Sequence, residues 1–350
     1  QSDDSSVNSI GETYVLTLTF DKTVNGLTSG TDSTVWRDGD SGVSATWAGS
    51  NGTTTRTLTY TVAAGDTGAV TINETNLETV LAASITDSSG NAFSDSISEI
   101  DNGGLDDADG VAPSAPSNAI DLADGSDTGG SNSDNKTNDT TPTVRVDLTG
   151  TNAVAGDTLE LLLGGASLSS AVTKTLDSTD ISNAYVDLTT GADLGSDGDK
   201  VFTAKVTDVA GNIGSAGGSL TVTLDTTAPT GLTIAGTLEV DNIVNASEDD
   251  TVVASGTTTG VEDGQTVTVV FTDGSNATVT ATTTVSTNAW TLTGSEADIS
   301  GLDNGTITIT ANVSDVAGNA ASQASKTITL DNVAPSAPSN AIDLADGSDT

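Results

Sequence analysis

Carboxylates carry most of the chemistry this sequence could perform. Ahead of Pro113 stand Asp101, Asp106, Asp107 and Asp109, and behind it Asp121, Asp124, Asp127, Asp134 and Asp139. Like charges this dense oppose a compact arrangement unless something neutralises them. The chain has no His and no Cys, which removes the usual general base, the commonest transition-metal ligand and the thiolate. Oxygen donors remain: carboxylates, amides, backbone carbonyls and water. They suit Ca2+, which takes roughly six to eight of them, better than Mg2+, which keeps its own waters. Paired carboxylates for glycoside hydrolysis can be picked anywhere among 49 acids, so finding a pair carries no weight. No nucleophile–base pair or oriented site points to an enzyme.

Two short markers order these acids. Asp-x-x-Gly-Asn occurs at Asp87–Asn91, Asp208–Asn212 and Asp315–Asn319. Each is followed by Asp-x-x-Ala-Pro, at Asp109–Pro113, Asp225–Pro229 and Asp331–Pro335. The second marker recurs after 116 and then 106 residues, the length of one immunoglobulin-like sandwich. The string APSAPSNAIDLADGSDT appears twice without a difference, at Ala112–Thr128 and Ala334–Thr350. That identity reads as duplication of whole units, with the second copy opening a further repeat. Asp-x-x-Gly-Asn itself has two readings. Its Asp ligates calcium, or the loop is a plain turn in which Asp accepts backbone N–H bonds, Gly takes positive φ and Asn tolerates the left-handed region. Pro113 and Pro116 fix φ and push the residues before them towards extended conformations. A linker of this kind would be stiff when clamped by a divalent ion and would flex without it.

The elements that must position these loops are read from a period of two. Tyr14, Leu16, Leu18 and Phe20 alternate with Val15, Thr17, Thr19 and Asp21; Phe202, Ala204 and Val206 alternate with Thr203, Lys205 and Thr207. Ile307, Ile309, Ala311 and Val313 do the same against Thr308, Thr310, Asn312 and Ser314. Such alternation predicts sheets with one face in a core and the other in water. No stretch sustains helical periodicity for three turns, and Gly or Asn-Gly punctuation arrives about every 8–12 residues. Aromatic residues make up 3% of the chain, so several small cores suit it better than one large core. Trp36, Trp47 and Trp290 are assigned to those cores. The expected fold class is all-β, as tandem immunoglobulin-like Greek-key β-sandwiches in an elongated array. The expected domains are 1–110, 111–228 and 229–333, with 334–350 starting a fourth.

Charge excludes some partners. The 49 acids face 9 bases, a net of −40, so nucleic acid cannot be held by phosphate neutralisation, and anionic membrane surfaces repel the chain. No apolar stretch approaches transmembrane length, so this segment is not expected to insert in a membrane. A chain that opens on Gln1 without Met or a signal peptide is expected to be an excerpt of a longer protein.

The third unit carries TLEVDNIVNASEDDTVVASGTTTGVEDGQTVTVVF and, further on, NAWTLTGSEADISGLDNGTITITANVSDVAGNAASQASKTITLDNVAP. It resembles the bacterial immunoglobulin-like (Big) tandem repeats of giant secreted surface adhesins, including biofilm-associated proteins and RTX adhesins. The second unit is similar from NDTTP at Asn138 onward, with Tyr185 where the third has Trp290. The first is more distant, although LTFDKTV, TRTLTYTVAAGD and ITDSSGNAF still resemble a related repeat. The resemblance implies a structural extender that holds a binding domain away from the cell. It also implies calcium at the junctions, an extracellular place on the bacterial surface, a role in adhesion and biofilm formation, and no catalysis. The ligands it implies are Asp87, Asp109 and Asp121 at the first junction, and Asp208, Asp225 and Asp241 at the second. At the third they are Asp315, Asp331 and Asp343, while Asp139 and Asp249 are placed to contribute as well. The implied partners are neighbouring repeats of the same chain, and the adhesive ligand is not legible. Two alternatives stay open: a subunit that self-associates laterally into a surface layer or filament, and a glycan- or protein-binding module in the first domain.

Overall fold

The computed structural model describes residues 9–39, 41–97, 107–118 and 120–337. The chain is nearly all strand and turn, as the alternation predicts, and it divides into two compact units. One comprises Gln1–Asp121, Thr143–Ala192 and Val201–Leu220; the other comprises Leu122–Pro142, Asp193–Lys200 and Thr221–Thr350. No helix among the described residues is long and apolar enough to cross a membrane.

In the first unit the long strand Thr13–Asn25 pairs antiparallel with Thr53–Thr61, which in turn pairs with Ala45–Gly49. A second sheet holds Trp36–Asp38, Thr67–Ile72 and Asp107–Asp109. Alternation sends Tyr14, Leu58, Tyr60 and Trp47 from the first sheet and Trp36, Val70 and Ile72 from the second into one shared core. Tyr14 and Tyr60 stack with ring centroids 5.6 Å apart, and Trp36 lies 6.0 Å from Tyr14, so a few aromatics anchor a small core. Arg56 is fully buried on the same strand. Its guanidinium donates to the carbonyls of Val24 at 2.8 Å and Thr55 at 2.6 Å, to Gly26, and to the Thr53 hydroxyl at 3.0 Å. Those bonds close the irregular register where Thr13–Asn25 leaves its partner between Thr19 and Val24.

One element departs from the sequence reading. Glu74–Ser84 is an α-helix of three turns, capped by Asn73, whose side chain accepts from the Asn76 N–H at 2.9 Å. Only Leu77 and Leu81 are buried along it. Leu77, Val80 and Leu81 make one i, i+3, i+4 set, too short to show three turns of period, and the cap and the core contact supply what periodicity lacks.

The remainder of this unit pairs Thr143–Asp147 with Tyr185–Thr189 and sets Thr158–Leu163 between Ala166–Thr175 and Gly198–Thr207. Leu159, Leu161, Phe202, Ala204 and Val206 are fully buried. Tyr185 does not play the part of Trp290. Its ring lies at the surface, 4.1 Å beneath the Arg145 guanidinium, which also pairs with Asp187 at 2.7 Å. Its neighbour Val186 is the buried residue, and Trp290 is 2% exposed; one step along a strand reverses the face a side chain occupies.

In the second unit a five-stranded sheet runs Ile243–Asn245, Ala324–Asp331, Gly305–Asn312, Thr266–Thr272, Thr278–Thr284. Its first pair is parallel and the others antiparallel. Ser255–Thr257 and Ala289–Thr291 form the facing pair. Val267, Val269, Phe271, Ile307, Ile309 and Trp290 share one core between the two sheets, which is the sandwich arrangement.

Candidate metal centre

Each Asp-x-x-Gly-Asn marker is the loop of a hairpin, closed by the antiparallel bridges Thr86↔Ala92, Thr207↔Ile213 and Ser314↔Ala320. The three loops share one hydrogen-bond ring. Asp Oδ1 accepts the backbone N–H of the Asn at 2.9, 2.7 and 2.8 Å in chain order. Asp Oδ2 accepts the Asn side-chain amide at 2.8, 2.9 and 3.0 Å. Gly90, Gly211 and Gly318 have φ of +86°, +98° and +93°, a region strained for any residue with a Cβ. In the exposed first loop the Asn91 side-chain bond, followed by its backbone bond, holds the Asp87 carboxyl below its ordinary pKa. Both oxygens of each Asp are engaged, and their effect is to aim the Asn amide.

The target of that amide defines the junction. Asn212 Nδ2 donates to the Asp109 carbonyl at 2.7 Å, and Asn319 Nδ2 donates to the Asp225 carbonyl at 2.8 Å. Asn212 is only 4% exposed, and its Oδ1 accepts the Ile10 N–H at 3.0 Å. One side chain therefore joins three stretches: the start of the strand system at Ile10, the Asp-x-x-Ala-Pro linker and its own loop. The linker carboxylates fold over locally, Asp109 accepting the Val111 N–H and Asp225 the Thr227 N–H, each at 3.0 Å.

The second and third loops thus meet the linker that precedes their own strands. Asp208 shares a cavity with Asp109, and the Asp315 loop closes on Asp225 through Asn319 rather than standing with Asp331. Strand direction is the reason. Gly305–Asn312 delivers Asp315 at one end of its sheet, and the antiparallel Ala324–Asp331 returns to the other, where Leu330 faces Gly305. A return of this length covers roughly 25 Å.

The other expected ligands are engaged in different ways. Asp121 is exposed on its short strand, and Asp331 is exposed at the end of Ala324–Asp331. Asp139 accepts from the Ser126 hydroxyl and the Thr141 N–H, both at 2.9 Å, and Asp241 accepts from the Ile243 N–H at 2.9 Å. Asp249, 7% exposed, accepts from the Asn332 side chain at 2.8 Å, so it anchors the outgoing linker. Asp197 does the same for Thr226 and Thr227, whose hydroxyls lie at 2.7 and 2.6 Å and hold its carboxyl below the ordinary range. Asp343 lies outside the described residues.

Sequence reasoning missed Asp157. A cavity of about 290 Å³ beside the first linker is lined by Asp109, Asp157 and Asp208, together with Val111, Pro113 and Val154. Asp157 is 2% exposed. Its Oδ2 accepts the Val154 N–H at 2.8 Å, while Oδ1 is buried with no hydrogen-bond donor. Lying in no repeated marker, it left no signal beyond a lone acid before a strand.

The stretch from this linker to the next is recognisable by comparison. Residues 114–226 match the family model of the bacterial Ig-like domain. No curated protein matches the chain. A solved tetra-tandem repeat from the extending region of a large adhesion protein is 24% identical, over 92% of this chain and 75% of that one, with a TM-score of 0.32. A Ca2+-stabilised ice-binding adhesin of an Antarctic bacterium is 22% identical, over 95% and 73%, with a TM-score of 0.40. A bacterial immunoglobulin-like domain of the M. primoryensis ice-binding adhesin is 28% identical, over 30% and 100%, with a TM-score of 0.21.

The stretch that matches this family model contains Asp157, Asp208 and Asn212, and the segment ahead of it contains Asp109. Among the described residues no three acidic side chains stand close enough to ligate one bare ion. Asp157 Oδ1 is left buried without a hydrogen-bond partner, which is costly for a carboxylate oxygen.

Proposed function

We propose that this chain is a structural extender segment of a large bacterial surface adhesin. It is built of tandem Ig-like repeats at residues 1–110, 111–228 and 229–333, with 334–350 opening another. The segment is extracellular, its linkers are rigidified by Ca2+, and it serves adhesion and biofilm formation without catalysing a reaction. The observation that carries this reading is the repeated latch, in which Asn212 and Asn319 each close on the carbonyl of the preceding linker Asp. A module built around one ligand-binding site gains nothing from repeating such a contact, whereas a spacer depends on it at every joint. Asp109, Asp157 and Asp208 would hold the ion at the first linker. When bound, the ion supplies positive charge that offsets their mutual repulsion. The chain's own residues do the rest: Asn212 fixes the linker carbonyl, and Pro113 and Pro116 limit its dihedral freedom.

Calcium titration followed by calorimetry and small-angle scattering tests the reading. Extracellular modules bind calcium at about 10⁻⁴–10⁻³ M. An ion at ten times its Kd contributes about 1.4 kcal/mol per site. Calcium is expected to raise the melting temperature and narrow the distribution of intramolecular distances, and chelation to reverse both. Unchanged melting and unchanged distances would end the proposal.

A further inference from the structure

We propose that this chain pairs with a second copy of itself through the free edge strand Thr278–Thr284. The two strands join antiparallel about Ala281, so that one sheet continues from copy to copy. This goes beyond the spacer reading and does not depend on calcium.

A sheet edge is a row of unpaired backbone donors and acceptors, which proteins blunt with short strands, charges, Pro or a bulge. Most edge strands among the described residues are two or three residues long. Tyr185–Thr189 is longer and carries Asp187, paired with Arg145. Ala166–Thr175 is longer still, but it carries Lys174, and its pairing with Thr158–Leu163 shifts register between Leu161 and Leu162. Thr278–Thr284 has none of these devices. It ends its five-stranded sheet and pairs with Thr266–Thr272 in unbroken register. It also lies in a stretch, Gly274–Ser295, without a charged residue or a Pro. Two copies of net charge −40 repel each other, and a neutral strand is where they meet at least cost.

The strand turns matching groups outward. The Val285 N–H donates to the Gln265 carbonyl at 2.9 Å, and the Val285 carbonyl accepts the Gly264 N–H at 2.8 Å, both towards the neighbouring strand. Backbone direction alternates along a strand, so Val279, Ala281 and Thr283 bond that way too. The N–H and C=O groups of Thr280 and Thr282 therefore face the free edge. The side chains of Thr278, Thr280, Thr282 and Thr284 are exposed, while Val279 and Ala281 pack against the core. Two-fold pairing about Ala281 sets Thr280 opposite Thr282 of the second copy and Thr278 opposite Thr284, with Val279, Ala281 and Thr283 on the core side in both. Thr280 and Thr282 then exchange backbone bonds. Ala281 meets its equivalent at a non-hydrogen-bonded pair, where the backbones come within roughly 4.5 Å and a small side chain fits. Thr284 already faces Thr266, and Thr282 faces Thr268, so the pairing extends existing threonine rows. A contact complementary to itself closes a two-fold dimer.

Sedimentation equilibrium of the whole chain over a concentration series, with hydrogen exchange at Thr280 and Thr282, tests the pairing. A dimer is expected, tighter in about 1 M salt than in about 0.1 M, because the screening length falls from about 10 Å to about 3 Å and the repulsion between copies falls with it. At a total concentration ten times Kd, mass action leaves about one-fifth of the chains unpaired, so exchange at Thr280 and Thr282 slows about five-fold relative to dilute protein. Thr282→Lys places a charge on the edge, and Thr280→Pro removes an outward N–H; both variants are expected to stay monomeric. Exchange at Ile309 checks that each sandwich is still folded. The Lys variant carries less net negative charge than the parent, so its loss of pairing cannot come from added repulsion between copies. A parent chain that stays monomeric in high salt overturns the proposal. So does a dimer that survives both substitutions, or one that forms without slowing exchange at Thr280 and Thr282.

Discussion

Replacing the latch asparagine separates its two jobs, because the chain contains its own control. Asn91 and Asn212 make the same ring with the Asp at the start of their loops, Asp87 and Asp208. Asn212 adds bonds to the Asp109 carbonyl and the Ile10 N–H. Asn91→Ala removes one charge-assisted bond at an exposed position, a loss of about 1 kcal/mol. Asn212→Ala removes the same bond and two more at a nearly buried position, leaving a linker carbonyl and an N–H without their partner. Each costs about 1 kcal/mol net, so the total is about 3 kcal/mol. The difference of about 2 kcal/mol corresponds to roughly a thirty-fold change in the docked population. Denaturant titration of both variants, with hydrogen exchange at Val111 as the local reporter, measures it in calcium-free buffer. Exchange at Val111 should accelerate in Asn212→Ala and stay unchanged in Asn91→Ala. Equal costs, or an unaltered Val111, would refute the claim that the amide holds the linker.

Two further outcomes follow from buried polar groups. Arg56→Met should destabilise the first sandwich by about 3 kcal/mol, since the carbonyls of Val24, Gly26 and Thr55 lose a shared donor; a thermal midpoint equal to that of the parent would count against it. Asp273 accepts from the N–H groups of Asp303, Ser275 and Ala277 at 2.9, 2.8 and 2.9 Å. Those bonds, Asp303 first, hold its carboxyl below the ordinary 3.8. A depressed folded-state pKa means stability that is present above the ordinary value and lost as pH falls through the lowered one. Asp273→Asn should therefore melt below the parent at pH 7, with the gap closing in acid below about pH 4; a gap independent of pH would contradict the assignment.

Much of the fold was legible because strand patterning is local. Phe202, Ala204 and Val206, or Ile307, Ile309 and Ala311, announce a half-buried strand by alternation, and all six are fully buried. The marker loops were legible too, since Asp, Gly and Asn at that spacing suit a turn of one geometry, and all three copies adopt it. The helix at Glu74–Ser84 escaped because its stability comes from Leu77 and Leu81 meeting the core, a contact the periodicity of the segment does not register. Asp157 escaped for a related reason. Nothing near it in sequence distinguishes it from other acids, and only its burial with one oxygen unsatisfied marks it out.

By itself the sequence determined where strands begin and turn, and that a chain of net charge −40 needs something to offset crowded carboxylates. Both follow from residues close together along the chain. Tertiary structure decided which linker each loop would meet, and which acids would share a cavity. Antiparallel strands carry neighbours in sequence to opposite ends of a sheet, so Asp315 meets Asp225 and not Asp331. The register that brings Asp157 to a cavity shared with Asp109 and Asp208 belongs to whole sheets and is written in no short motif.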